Sequence, residues 1–130
     1  MKSYFGLGLA MIAGIGIGAA SFSGLNAQGK APGAYVIVAF SDIGDPAGFK
    51  TAVLDKAGAV VEKHGGRVLV RTTDITELRA AEPPIKRWVL IGFDSAQQAK
   101  DWYTSADNKP IDEYQRQHTK GRVFLVQPVQ

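Results

Sequence analysis

His64-Gly65-Gly66-Arg67-Val68-Leu69-Val70-Arg71 is the stretch on which the fold turns. A glycine pair after a helical pattern reads as a helix end, because glycine takes up the left-handed conformation at little cost. The residues from Arg67 to Arg71 set β-branched and apolar side chains between arginines, which reads as a strand. The corner is therefore helix to strand, and the other elements are set out on either side of it.

Upstream, Tyr35-Val36-Ile37-Val38-Ala39-Phe40 reads as a first strand. Asp45 suits an N-cap and Pro46 the first helical position. Phe49, Ala52, Val53, Ala57, Val60 and Val61 then recur at helical spacing as one apolar stripe. Downstream, a polar connection from Thr72 to Lys86 carries Pro83-Pro84, and Trp88 to Phe93 reads as a third strand. Ser95 with Gln98 forms a capping box for a second helix that buries Ala96, Ala99, Trp102 and Tyr103. Pro110 opens a short extra helix with Ile111 and Tyr114, and Gly121 releases the chain into a last strand, Arg122 to Gln127. The order β-α-β-β-α-β is an α+β, ferredoxin-like arrangement, with helices on one face of an antiparallel sheet.

Strand side chains alternate between faces. One set is Val36, Val38, Phe40, Val68, Val70, Val89, Ile91, Phe93, Val123 and Leu125, and it is expected to meet the helices. The other is Tyr35, Ile37, Leu69, Trp88, Leu90, Phe124 and Val126, with Arg67, Arg71 and Arg122 among them. That second face is too apolar for water, since a solvated sheet face reads polar. It is expected to pair with a second copy, giving a homodimer with a cavity between sheet and partner or between sheet and loops.

The chain has 130 residues, which suits one domain. Its start reads differently: Lys2, an apolar run from Tyr4 to about Ala20, then small and polar residues ending in Leu25-Asn26-Ala27. That is the order of a signal peptide over residues 1–27, with cleavage after Ala27, or alternatively near Ala20 to Ser23. An uncleaved membrane anchor is the rival reading. Residues 28–33 form a flexible lead-in, and 34–130 the folded domain. The protein is thus expected to be exported, periplasmic or secreted, and membrane-bound only if the leader is retained. Without cysteine there is no lipid anchor, disulfide or thiol chemistry. Loss of Lys2 takes the net charge from +3 to +2, too mild to point to nucleic acid. Gly14-Ile15-Gly16-Ile17-Gly18-Ala19 fits a dinucleotide-binding pattern in letters only, because no strand precedes it.

With these residues in hand, the mature chain resembles the domain of unknown function 1330 family. The pieces are Tyr35-Val36-Ile37-Val38, Asp45-Pro46 with Phe49-Lys50, and Gly65-Gly66-Arg67-Val68-Leu69-Val70-Arg71. They continue with Arg87 to Ser95, Ala99, Trp102-Tyr103 with Ser105, and Arg116, covering about Ala34 to Val126. The resemblance implies a dimeric α/β barrel. Related barrels include cofactor-free monooxygenases and degradative enzymes for small aromatic or lactone substrates, an analogy of fold alone. The chain departs from the pattern at Gly92, where the family tends to carry Glu, and at Ala106 to Pro110, where a short link to a tyrosine is usual.

Arg71 leads the ligand-binding candidates, since a guanidinium among aromatics suits a carboxylate or phenolate on an apolar body. Tyr35, Trp88 and Tyr103 are expected to line the site, and Arg116 to close over it or to pair with Glu113 or Asp112. For Arg71 the competing expectation is an ion pair with Asp or Glu. His118 and Arg71 are the catalytic candidates. His64 suits a helix C-terminus without further role. No metal or cofactor site is expected, because the histidines and carboxylates are scattered. No serine sits in a nucleophile elbow. Three functions follow: a cofactor-free enzyme acting on a small anionic or aromatic compound, a non-catalytic periplasmic binder or dimeric structural module, and an RNA-recognition module. The last fails because the third strand lacks the basic-glycine-aromatic pattern.

Overall fold

The computed structural model describes residues 31–129. The expected leader and the start of the lead-in lie outside the described residues.

Strand β1 (Ala34–Ile43) alternates apolar side chains inward, and Asp45 then starts the helical segment. The Asp45 carboxylate accepts from the backbone N–H of Gly48 at 3.1 Å, so a free helical donor is satisfied where Pro46 supplies none. The segment runs on as α1 (Pro46–Phe49), a π-helical turn (Lys50–Leu54) and α2 (Asp55–Lys63). Phe49, Val53 and Val61, from the expected stripe, are buried.

The two glycines that end α2 are there for different reasons. Gly65 has φ of +86°, which a side chain would strain. Gly66 is crowded: a Cβ there would lie 2.6 Å from Phe93 Cε1 and 2.9 Å from Val61 Cγ1.

β2 (Arg67–Thr72) and β3 (Arg87–Phe93) follow, then α3 (Ala96–Tyr103), α4 (Lys109–His118) and β4 (Thr119–Val126). Ser95 caps α3 by accepting from Gln98 N at 3.1 Å, while the Gln98 amide oxygen reaches back to Asp94 N at 3.0 Å. The sheet order is β2-β3-β1-β4, with every neighbouring pair antiparallel. This is the ferredoxin-like α+β fold.

The last elements differ from expectation. α4 is a full helix of 10 residues, and β4 starts directly at Thr119 without a turn at Gly121. Gly121 lies opposite Phe40, where a Cβ would press on the Ala39 carbonyl and come within 3.0 Å of the Phe40 ring. Close strand packing, and not a turn, explains that glycine. Gly92 has a similar cause. Its place on the sheet face away from the helices is filled by buried Pro32, whose Cγ would lie 2.7 Å from an added Cβ.

The core lies between the helices and one sheet face: Val36, Val38, Phe40, Ile91 and Phe93 meet Phe49, Val53, Val61, Ala99, Trp102 and Ile111. Face assignment by simple alternation holds for β1 and β3 and fails in β2. Val68 pairs with Ile91, but Val70 pairs with Leu90 and Arg71 with Val89, so Leu69 is an extra, unpaired residue. Such a bulge shifts every later side chain to the other face. Val70 therefore leaves the helix side, and Arg71 joins it.

Candidate functional site

The bulge makes the site. On the helix face, Arg71 stands beside Val89, and Arg87, two residues before Val89 in β3, lies diagonally next to it. Diagonal cross-strand neighbours sit about 7–8 Å apart at Cα, within reach of long side chains. Both arginines line a cavity of about 70 Å³ between sheet and helices. Its middle is apolar, with Val38, Val53, Val89 and Ile91 among the walls. A water needs about 10–15 Å³ of such space, so the cavity has room for several waters or a small organic molecule. The π-helical turn contributes Val53 and Leu54, and α3 and α4 contribute Trp102, Tyr103, Ile111 and Gln115, with Asn108 from their junction.

Its electrostatics are one-sided. Among the described residues, no carboxylate lines the cavity, and neither Arg71 nor Arg87 has an ion-pair partner. Burial, and then the charge of Arg71, lower the Arg87 pKa. Arg87 Nε is sealed from solvent without a hydrogen-bond partner, as is Trp102 Nε1. The arrangement can hold a compact anion on an apolar body.

Beside the cavity runs an open groove of about 570 Å³ over β4, lined by Asp112, Arg116, Lys120 and Arg122. Tyr103 borders both spaces. Its hydroxyl donates to Asp112 Oδ1 at 2.8 Å and accepts from Arg116 Nη2 at 3.2 Å, while Arg116 Nε donates to Asp112 Oδ2 at 2.7 Å. Burial and the bond to Asp112 raise the Tyr103 pKa, so the phenol stays protonated at neutral pH.

The residues singled out from the sequence are thus divided. Arg71 and Tyr103 reach the cavity. Tyr35 and Trp88 pair with Gly92 and with Ala39 and Thr72 on the opposite sheet face, so they cannot share a ligand with Arg71. The grouping by alternation is corrected here, and the cause is the extra residue in β2. Arg116 borders the groove and pairs with Asp112. His118 lines neither space: it stacks on Tyr114 with centroids 4.0 Å apart and sets Nδ1 3.1 Å from that residue's carbonyl. His64 shares Asp107 with Lys63 at the end of α2.

Arg87 is not among the residues expected at the site, although it continues the alternation of Val89, Ile91 and Phe93. Asn108 and Gln115 carry no such mark.

The comparisons with known proteins follow the fold. Residues 33–129 match the family described as Domain of unknown function (DUF1330). A protein of unknown function from Rhodopseudomonas palustris superposes with a TM-score of 0.57 at 15% identity, covering 85% of this chain and 92% of that one. SnoaB, a cofactor-independent oxygenase from Streptomyces nogalater, superposes with a TM-score of 0.52 at 17% identity, covering 77% of this chain and 96% of that one. At these identities the likeness is one of fold. Among proteins of curated function, nothing matches the sequence.

Proposed function

This chain belongs to the DUF1330 family, and we propose that it is a binder of small organic anions, using the cavity on the helix side of its sheet. The observation that carries the reading is the pair Arg71 and Arg87: two arginines on one wall of an apolar cavity, with no carboxylate among the described residues to neutralise them. Guanidinium is the side chain best suited to planar oxyanions, and an apolar surround strengthens the attraction. A carboxylate or phenolate of small size meets both demands.

The cavity walls carry Arg71, Arg87 and Tyr103, groups that hold an anion by donating hydrogen bonds. The fold shared with a cofactor-independent oxygenase keeps chemistry on the bound anion itself in view, because two guanidiniums stabilise a phenolate or enolate.

Two further proposals complete the picture. The chain is exported by its first 27 residues, on the pattern of Lys2, apolar run and Ala27. It works as a homodimer, pairing the face that carries Tyr35, Ile37, Trp88, Leu90 and Phe124, each of them only half-buried in the single chain.

Isothermal titration calorimetry of the wild type, Arg71→Ala and Arg87→Ala against small carboxylates and phenols tests the site. Binding weakened at least tenfold in each variant is expected. Equal binding by Arg71→Ala and wild type rejects the site. Turnover assays on any acid that binds then separate enzyme from carrier.

A further inference from the structure

The cavity has a second polar feature, on the wall formed where α3 meets α4. Asn108 is 4% exposed and is the one buried polar residue among the described residues. Its backbone N–H is taken up by Ser105, and its own carbonyl accepts from Asp112 N at 2.9 Å. Its side-chain Nδ2 donates to the Tyr103 carbonyl at 3.1 Å. That bond fixes which way the amide points, because a carbonyl can only accept and must therefore face the NH₂ end. The amide oxygen is left facing elsewhere.

No described residue donates to Asn108 Oδ1. Asn108 itself lines the cavity. The cavity thus joins two arginines from the sheet to a wall that carries Asn108, whose amide oxygen takes no hydrogen bond from a described residue, with apolar residues between.

Resting on the anion-binding reading above, we infer that the ligand is a hydroxy acid. Its carboxylate lies against Arg71 and Arg87, its carbon skeleton against the apolar walls, and its hydroxyl donates to Asn108 Oδ1. An acid without a hydroxyl would leave that oxygen dry and unpaired, which costs binding. An ether in the same place has no hydrogen to give and would set oxygen against oxygen. The order of affinity expected is hydroxy acid, then parent acid, then methoxy acid.

Calorimetric titration of the full chain with matched probes tests this: butyrate against its hydroxy derivatives, and benzoate against the hydroxy- and methoxybenzoates. The best-placed hydroxy isomer should bind about three- to tenfold more tightly than its parent, the range of one neutral hydrogen bond. In Asn108→Ala that advantage should vanish while the parent acid still binds. The wild-type series stands alone if the variant does not fold. Parent and hydroxy acids binding equally, with both weakened by Arg71→Ala, would overturn the hydroxy-acid inference and leave the anion site intact. If no acid binds the wild type, both fall.

Discussion

Arg71 in β2 and Arg87 in β3 stand a diagonal step apart on one sheet face, two like charges brought together by a single unpaired residue, Leu69. Such a pair is a burden on the empty protein. Arg87→Met keeps an unbranched apolar stem, shorter than that of arginine, and removes both the like charge and the partnerless Nε. We expect the ligand-free variant to be more stable by about 1 kcal/mol, a rise in Tm of about 4–8 °C for a domain of this size. It should lose anion binding at the same time. A lowered Tm would mean that Arg87 has a stabilising partner in solution.

The bulge also reverses the expectation for Val70, which is 38% exposed on the face away from the helices. Val70→Lys should leave the fold intact and split the proposed dimer, as measured by size-exclusion chromatography with light scattering at micromolar concentration. The same change at Val61, 2% exposed in the core, should prevent folding. If Val70→Lys unfolds the protein, the register of β2 is not as described.

Glycines give a second contrast. Gly58 lies within α2 with nothing inside 4 Å of an added Cβ, so Gly58→Ala should stabilise by about 0.5–1 kcal/mol through helix propensity. Gly66→Ala forces a methyl against Phe93 and Val61 and should cost about 1–3 kcal/mol. Urea unfolding of the two variants with the wild type measures both.

Acid should loosen the corner where α1 begins. The Asp45 carboxyl is held below its ordinary value, first by the Gly48 N–H and then by the Tyr114 hydroxyl, which donates at 3.0 Å. Its folded pKa is depressed, so its contribution is complete above the unfolded value of about 3.9 and is lost as pH falls through the folded value. Asp45→Asn should be less stable than wild type at neutral pH, with the gap closing below about pH 4. Thermal melts across that range show whether it does.

These cases show what could be read from the residues. Element order, both helix caps and the inward sets of β1 and β3 follow from spacing and turn chemistry, which are local. The side on which Arg71 lies does not, because Arg67 to Arg71 reads the same with or without a bulge, and only pairing with β3 reveals the extra residue. Arg87 was within reach of the alternation argument. Asn108 was not, since its role depends on a carbonyl contributed by Tyr103 and on a cavity assembled from α1 to α4.

The two tryptophans fall on opposite sides of the sheet, Trp102 against the cavity and Trp88 on the face proposed for dimer contact. The protein therefore carries two built-in optical reporters. With either indole replaced by phenylalanine, the emission of the other would follow one event alone, ligand entry or subunit pairing, in the same cuvette and without an added dye.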